Sequence, residues 1–246
     1  KVQKVRPRSN NSTIITPVPE KRKNIPDHYN ELTIKFASPF GLVVRAYNDG
    51  VAYRWLTYFR DTLIVENEIA DFVFDGNPTI YYPQVVPREG VDEFHTSFEE
   101  PYQVRALNSM KADSLAFTPV LIVPANGPKV VITESDLEDY PGMFLGREGS
   151  NTLSGRFAHY PIKDSITAGE FPAEVVTGRA TYIAKTKGTR SLPWRVLIIA
   201  ENDKDLPAND LVYRLASPSR VTETSWINPG QGTDEWIIGV NLFNVP

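Results

Sequence analysis

The chain has 246 residues, enough for one large domain or two small ones. A hydrophobic fraction of 41% with 11% aromatic residues is typical of a folded protein rather than a disordered one. The formal net charge of -4 argues against general nucleic-acid binding, and the absence of cysteine excludes disulfides, thiolate nucleophiles and cysteine zinc sites. No apolar run approaches the roughly 20 residues that a membrane-spanning helix needs.

The first segment, residues 1–27, is rich in proline, asparagine and basic residues. A basic arm that contacts nucleic acid has this composition, but a solvated sheet edge or a linker is the commoner meaning of such a charge pattern. We therefore predict an edge or linker segment here.

From Glu31 onward the pattern changes to strands. The run ELTIKF alternates apolar and polar residues, and two β-rich runs, GLVVRAY and VAYRWLTYF, flank Asn48-Asp49-Gly50. Asn, Asp and Gly tolerate the positive φ of tight turns, so this is the strongest hairpin signal in the chain. Further strands are predicted for TLIVEN, ADFVF, TIYYPQVV, LAFTPVLIV, KVVIT, ATYIAK, WRVLIIA, DLVYRL and EWIIGV.

Helical patterning is scarce. One or two turns of helix are expected around residues 135–140, before Pro141-Gly142, and another near residues 203–210. Short strands separated by turn residues indicate a sandwich or barrel rather than βαβ units. The pattern therefore predicts an all-β chain.

Most catalytic motifs are absent from the sequence. There is no phosphate-binding Gly-Lys-[Ser/Thr] loop, no Gly-x-Ser-x-Gly elbow and no complete dinucleotide fingerprint. The histidines, His28, His95 and His159, are scattered, and structural or surface roles are commoner for such residues than a shared metal.

Carboxylates are the remaining candidates for chemistry. Glu134, Asp136, Glu138 and Asp139 crowd the segment VITESDLEDYPGM. A glycosidase needs two carboxyl groups about 5 to 10 Å apart, and a calcium ion needs about six to eight converging oxygens. The alternative is that Thr133 or Ser135 caps a short helix whose N-terminal dipole the acids complement, which we favour for Asp136, Glu138 and Asp139.

Five segments in order resemble the N-terminal domain of glycoside hydrolase family 97. They span most of the chain, and they are HYNEL, VRAYNDGVAYRW, ITESDLEDYPGM, LPWRVLII and TSWINPG. That family includes the α-glucosidase of the bacterial starch-utilisation system and related α-galactosidases. The resemblance implies a large antiparallel β-sandwich of the mutarotase-like, or super-sandwich, kind. It also implies a partner (β/α)8 barrel that carries the catalytic carboxylates.

The resemblance has consequences for the site. Family members are calcium-dependent, exo-acting and mostly periplasmic or secreted, and their Thr/His-Glu-[Ala/Ser] glutamate, which contributes a calcium ligand, aligns with Glu134. No catalytic residue is expected in this chain, and no substrate-binding residue is assigned. Structural roles are expected for the remaining motif residues, namely Trp55, Trp194, Trp226, Arg54, Arg195, His28, Asn30 and Glu31.

The resemblance also implies a domain plan. Residues 28–230 would form the sandwich, and residues 231–246 would begin the connection to the absent barrel. Several early strands of the family's sandwich are expected to be missing before Lys1, and a partner segment or further residues would complete the fold.

Three functions remain open at this stage. The chain is expected to be the non-catalytic sandwich of an α-glycosidase that acts on α-linked oligosaccharides, walling the cleft and supplying Glu134 to calcium. The alternatives are a stand-alone carbohydrate-binding or mutarotase-like module, which would bind sugar without calcium, and a cell-surface sandwich without a ligand. Glucose or galactose specificity, stereochemical outcome and oligomeric state cannot be derived from the sequence.

Overall fold

A computed structural model describes residues 1–18, 21–168 and 172–232 of the chain. Nearly all of its regular structure is β-strand, which confirms the predicted fold class. The strands are β1 (Val2–Ile15), β2 (Asn24–Phe36), β3 (Phe40–Tyr47), β4 (Gly50–Tyr58), β5 (Leu63–Val65), β6 (Asp71–Val73), β7 (Thr79–Tyr82), β8 (Gln103–Ala106), β9 (Leu115–Ala116), β10 (Val120–Val123), β11 (Lys129–Ser135), β12 (Met143–Glu148), β13 (Thr152–Phe157), β14 (Pro161–Ile166), β15 (Glu174–Arg179), β16 (Ala184–Thr186), β17 (Thr189–Ser191) and β18 (Trp194–Ala200). The helical elements are the 3-10 turns Leu107–Ser109 and Asp203–Asp205 and the short α-helix α1 (Leu211–Leu215).

A 10-stranded antiparallel sheet forms one layer of the molecule. Its order is β1-β2-β3-β4-β18-β11-β10-β7-β8, with β17 also paired to β4. The hairpin predicted at Asn48-Asp49-Gly50 is confirmed, since β3 and β4 pair in continuous register from Tyr47–Gly50 to Phe40–Thr57. The alternation read from the sequence places successive side chains of these strands on opposite faces of the sheet.

A 4-stranded sheet of order β6-β13-β12-β9 packs on one face of the large sheet. We call the face of the large sheet that the smaller sheet covers the inner face. The core between the two layers includes Ile122 and Ile132 of the large sheet and Met143, Leu145 and Leu153 of the smaller one. Two sheets that bury apolar side chains between them define a β-sandwich, as predicted.

The opposite, outer face of the large sheet carries a second core that is closed by α1. Leu211 and Leu215 of α1 are buried there with Trp194 and Val196 of β18. The strand predicted for DLVYRL is therefore wrong: apolar residues four positions apart meet on one helix face and pack on the sheet. The helix expected within residues 203–210 is the 3-10 turn Asp203–Asp205.

Gly50 is required at the hairpin for a reason that differs from the predicted one. The residues with positive φ in the described ranges are Asp136, Asp139 and four glycines elsewhere, so the turn does not use positive φ. Instead, a Cβ on Gly50 would lie 2.5 Å from the carbonyl oxygen of Leu197 and would also collide with Leu211. The glycine lets β4 approach β18 beneath α1.

The segment 1–27 is largely strand. β1 pairs with β2 from Val2–Phe36 to Ile15–Asn24 and forms an edge of the large sheet, and β2 itself begins within this segment. The strand predicted for EWIIGV, and all but the first two residues of the expected connection 231–246, lie outside the described residues. Within the described ranges, no helix is long and apolar enough to cross a membrane.

Candidate functional site

Glu134 lies near the end of β11, on the inner face. Val130 and Ile132 of the same strand pack toward the core between the sheets, and strand alternation places Glu134 on the same side. Directly across from it in the register stands Arg195 of β18. The two motifs that carry Glu134 and Arg195, far apart in the sequence, are therefore brought together by strand pairing.

Arg195 is the centre of a buried ion network, with 1% of its side chain exposed. Its Nε and Nη2 donate to the two carboxylate oxygens of Glu68 at 2.8 and 2.7 Å, which is a bidentate pair. Its Nη1 donates to Oε2 of Glu134 at 2.7 Å. The Tyr140 hydroxyl donates to Glu68 at 2.9 Å. We call these residues, Glu68, Glu134, Tyr140 and Arg195, the Arg195 network.

The electrostatics of the network follow from burial and pairing. Burial raises the pKa of Glu134 above its ordinary value, and the Arg195 charge and the Met143 N–H only partly oppose this effect. Burial by itself would lower the pKa of Arg195, but its bonds to Glu68 and the charges of both carboxylates raise it. Burial and the Glu68 charge raise the pKa of Tyr140. Two carboxylates thus share one guanidinium inside the sandwich.

Such an arrangement does not suit glycoside hydrolysis by this pair of acids. Glu68 and Glu134 are both fixed on the same cation and largely withdrawn from solvent, whereas a hydrolase needs its two carboxyl groups on either side of a bound sugar. A buried, fully bonded ion cluster holds strands in register and excludes alternatives to the native packing.

No motif in the sequence identifies Glu68. It follows β5 in the run VENEIA, where nothing in its local pattern separates it from the neighbouring Glu66. Its burial is decided by the position of Arg195, which is 127 residues away in the chain.

Whether Glu134 suits a calcium ion depends on the partners that its two carboxylate oxygens already have. Oε1 accepts the Met143 N–H at 3.0 Å and Oε2 accepts from Arg195, so both oxygens already have partners and a guanidinium lies beside them. Across the described residues there is no group of three His, Asp or Glu side chains that could hold a metal. These residues do not by themselves fit a calcium ion, which needs about six to eight oxygens.

The neighbouring acids do not cap a helix, so that prediction is wrong. Beyond Ser135 the chain runs as irregular backbone, with Asp136 and Asp139 in the left-handed region at φ 59° and 48°. The Asp136 carboxylate accepts from Arg54 at 3.0 Å and from the Ser217 N–H at 2.9 Å. Because Asp tolerates the left-handed region, it can turn the chain out of β11 here.

Asp139 and Glu138 connect the same segment to other parts of the fold. The Thr186 hydroxyl donates to Asp139 at 2.6 Å, which fastens the segment to β16. Glu138 forms an exposed pair with Arg220 at 2.9 Å. The acidic segment therefore acts as a connector between the large sheet, the β16–β17 turn and the chain that follows α1.

Trp194 and Arg54 have the structural roles predicted for them. Trp194 is fully buried on the outer face, where the guanidinium groups of Arg45 and Arg54 lie 4.8 and 4.3 Å from its ring. Arg45 also lies 4.2 Å from the Tyr29 ring and pairs with Glu31 at 2.8 Å. The alternating guanidinium groups and aromatic rings form a continuous row of cation–π contacts across β2, β3, β4 and β18.

The other residues for which structural roles are predicted differ from one another in exposure and contacts. His28 and Asn30 are exposed on β2, and Asn30 accepts from the Ser9 hydroxyl of the edge strand. His95 and His159 both line one groove, but the described residues form no metal-binding group. Trp226 is 70% exposed and donates to the carbonyl oxygen of Glu223, so it is not a core residue.

A groove of 720 Å³ opens beside the Arg195 network. Its lining includes Phe36 and Trp55 of the large sheet and Ile64 of β5, together with Glu68 and Tyr140 of the Arg195 network. Most of its lining is apolar, which is typical of a binding or docking surface.

Taken together, a large antiparallel sheet, a smaller second sheet on its inner face and a buried ion network between them define a β-sandwich. The family model described as Glycosyl-hydrolase 97 N-terminal matches residues 1–218. The chain therefore belongs to glycoside hydrolase family 97, as a portion of its N-terminal region, and the resemblance seen in the sequence is confirmed.

Two curated relatives carry this region. The chain is 38% identical over 224 residues to a retaining alpha-galactosidase of Bacteroides thetaiotaomicron, covering 89% of this chain and 34% of that protein. It is 26% identical over 200 residues to a probable retaining alpha-galactosidase of Streptomyces bingchenggensis, covering 81% of this chain and 26% of that protein. The chain spans about a third or less of the length of these relatives.

Solved structures share the fold. A glycoside hydrolase family 97 enzyme from Pseudoalteromonas sp. strain K8, in complex with acarbose, matches with a TM-score of 0.73 and 22% identity over 94% of this chain and 32% of its own. A beta-arabinopyranosidase matches with a TM-score of 0.63 and 19% identity over 81% of this chain and 32% of its own. At these identities the likeness concerns the fold.

Proposed function

We propose that this chain is the non-catalytic N-terminal sandwich of an exo-acting α-glycosidase. The observation that carries the proposal is the family match over residues 1–218, together with 38% identity to a retaining alpha-galactosidase. The same relative favours an α-galactoside over an α-glucoside as the substrate. In the whole enzyme the hydrolysis would proceed through two carboxylates supplied by a partner barrel domain.

The described geometry supports a structural role for this chain. Glu68 and Glu134 are fixed on Arg195, so neither is free to protonate a leaving group or attack a sugar. The sandwich would wall one side of the cleft and bury an apolar flank of the barrel.

Hydrolysis assays test the proposal. Chromogenic α-galactoside and α-glucoside are offered to the purified 246-residue chain and to the longer polypeptide that contains it. Turnover by the longer polypeptide alone, with α-galactoside preferred, is the expected result. Turnover by the chain alone would overturn the non-catalytic role, and no turnover by either would overturn the assignment to a glycosidase.

Calcium binding through Glu134 stays a prediction. It rests on the family resemblance, and the bonded state of both Glu134 oxygens means that most ligands would have to come from outside this chain. Calorimetric titration of the longer polypeptide with calcium, before and after Glu134→Gln, tests it. Equal calcium affinity in both forms would exclude Glu134 as a ligand.

A stand-alone sugar-binding module is the second candidate, and the 720 Å³ groove with Trp55 is the observation that favours it. Aromatic faces bind sugar rings, and Glu66 and Asn67 line the same groove. This alternative predicts that the 246-residue chain binds galactose or glucose oligosaccharides without calcium.

We also propose a periplasmic or secreted location, which fractionation of producing cells would test.

A further inference from the structure

The edge of the large sheet carries basic residues on its outer face. Lys4 of β1 stands directly opposite Lys35 of β2, and Arg6 stands opposite Thr33. Directly opposite neighbours share a face, and strand alternation puts Thr33 and Lys35 on the same side of β2 as Glu31. Glu31 pairs with an arginine of the outer-face row of cation–π contacts. Part of the basic composition of the first segment is therefore gathered on this face.

The three cations have no acidic partner. Among the residues that the structure describes, no carboxylate pairs with Lys4, Arg6 or Lys35. The acid closest to Lys35 along β2 is Glu31, and its Oε2 already accepts from two other arginines at 2.9 and 2.8 Å. Like charges that stand directly opposite in a sheet destabilise it. Lys4 and Lys35 therefore repel each other, in a chain whose formal net charge is -4.

A groove of 500 Å³ opens at these cations. We call it the basic groove, and its lining residues are Gln3, Lys4, Arg6, Thr33, Lys35 and Tyr58. Every charged residue in this lining is a cation, and the Gln3 amide and the Tyr58 hydroxyl are further hydrogen-bond donors. The groove therefore presents an excess of donors and positive charge.

Gly41 of β3 brings Tyr58 into the basic groove. A Cβ on Gly41 would lie 3.1 Å from the Tyr58 hydroxyl oxygen and 3.2 Å from a ring carbon, so the missing side chain leaves room for the ring. The ring in turn contacts Lys35, whose Nζ lies 5.3 Å from its centroid. This cation–π contact restrains the Lys35 ammonium group at the groove.

The donors of the basic groove limit what can bind there. Two ammonium groups and one guanidinium group donate only, and the lining has no carboxylate that would attract a metal ion. A phosphate or sulfate ester has three terminal oxygens that can each accept from a separate cation, whereas a carboxylate has two. Small-molecule sites have volumes of about 300–1,000 Å³, so 500 Å³ also leaves room for the molecule that carries the ester.

We propose that the basic groove binds a phosphate or sulfate ester of a small molecule such as a sugar. The ester oxygens would accept from Lys4, Lys35 and Arg6 and would offset the repulsion between the two lysines. The inference goes beyond the proposed function and does not rest on it, because the groove is on the outer face and the Arg195 network is on the inner face.

Titration with two matched esters tests the proposal. Galactose 6-phosphate and galactose 6-sulfate are titrated calorimetrically into the longer polypeptide, with free galactose in excess so that a glycosidase site is already occupied. About 0.15 M NaCl screens attraction between distant charges. We expect at least one ester to bind and Lys35→Ala to weaken its binding at least about tenfold. Lys163→Ala, which removes an exposed lysine of β14, is the matched control and should leave the affinity unchanged.

Charge reversal at Lys35 separates binding from stability. Lys35→Glu places a carboxylate opposite Lys4, so cross-strand repulsion becomes attraction. Binding of both esters should be lost, while the midpoint of urea unfolding should not fall. A lower midpoint together with lost binding would assign Lys35 to the stability of the fold and would overturn its role in a ligand site.

Three further results would overturn the proposal. The first is that neither ester binds, and the second is that Lys35→Ala binds as tightly as the parent. The third is that galacturonate, which carries a carboxylate, binds as tightly as the esters, because the groove would then accept any anion. Binding of one ester in preference to the other supports the site and identifies which ester it takes.

Discussion

Arg195 and Glu68 form a bidentate ion pair, with Nε–Oε1 and Nη2–Oε2 distances of 2.8 and 2.7 Å. The pair joins β18, a central strand of the large sheet, to the segment between β5 and β6. This segment leads directly into the 4-stranded sheet, because β6 is one of its strands. Glu134 holds the remaining side of the guanidinium, so removal of the cation would leave two carboxylates inside the protein.

Arg195→Met should therefore destabilise the fold strongly. Breaking a buried pair from one side costs about 3–5 kcal/mol, because the remaining charge has no compensation. Urea unfolding measures the loss. Arg220→Met, which removes an exposed pair with Glu138, is the matched control and should cost no more than about 1 kcal/mol. Adding Glu68→Gln and Glu134→Gln to Arg195→Met should recover part of the stability, and a loss as small as the control's would contradict the role of the network.

Glu134 should make stability fall as pH rises. Its pKa is raised above 4.5 in the folded state, so the folded protein binds the proton more tightly than the unfolded chain. This contribution is complete below the unfolded pKa and is lost as pH rises through the folded pKa. The stability of Glu134→Gln relative to the parent should therefore increase as pH rises from the ordinary glutamate pKa of 4.5 through the raised pKa of the folded state.

The pH experiment has its own control. Glu148→Gln, which removes an exposed carboxylate from a surface pair with Arg156, is the matched control for the loss of a glutamate charge. A relative stability of Glu134→Gln that instead decreases with pH would mean that Arg195 lowers the pKa of Glu134 more than burial raises it.

Gly50→Ala should destabilise the hairpin where β4 meets β18. The new methyl group would meet the Leu197 carbonyl and Leu211, and overpacking of this kind costs about 1–3 kcal/mol. Gly230→Ala, where a Cβ would meet nothing, should change the free energy of unfolding by less than about 0.5 kcal/mol. Equal effects of the two substitutions on the urea midpoint would exclude close approach as the reason for Gly50.

Asp136→Ala should loosen the chain after α1. It removes the acceptor for Arg54 and for the Ser217 N–H, at a cost of about 1–3 kcal/mol. Asp136→Asn keeps an acceptor and tolerates the left-handed backbone, so it should lose less stability. Hydrogen exchange at the Ser217 amide gives a local measure: it should accelerate in Asp136→Ala, and an unchanged rate would show that the bond does not hold this segment.

Several strands were predictable because their signals are local. GLVVRAY and VAYRWLTYF carry the alternation of a sheet strand on either side of turn residues, and they form β3 and β4 with the expected pairing. DLVYRL has equally strong β-forming residues but is helical, since its burial against Trp194 and Val196 selects the helix. β1 is mostly polar and almost wholly exposed, so hydrogen bonding to β2 rather than side-chain burial makes it a strand.

The candidate site was predictable only in part. The sequence motif identifies Glu134, whereas its partners Arg195 and Glu68 are set by β11–β18 pairing and by the path of the chain after β5. The sequence by itself determined the family and the all-β class, because alternation and motif order are properties of neighbouring residues. Only the tertiary structure decided which charges are buried together and which cations meet in the basic groove, because both depend on which strands pair and in what register.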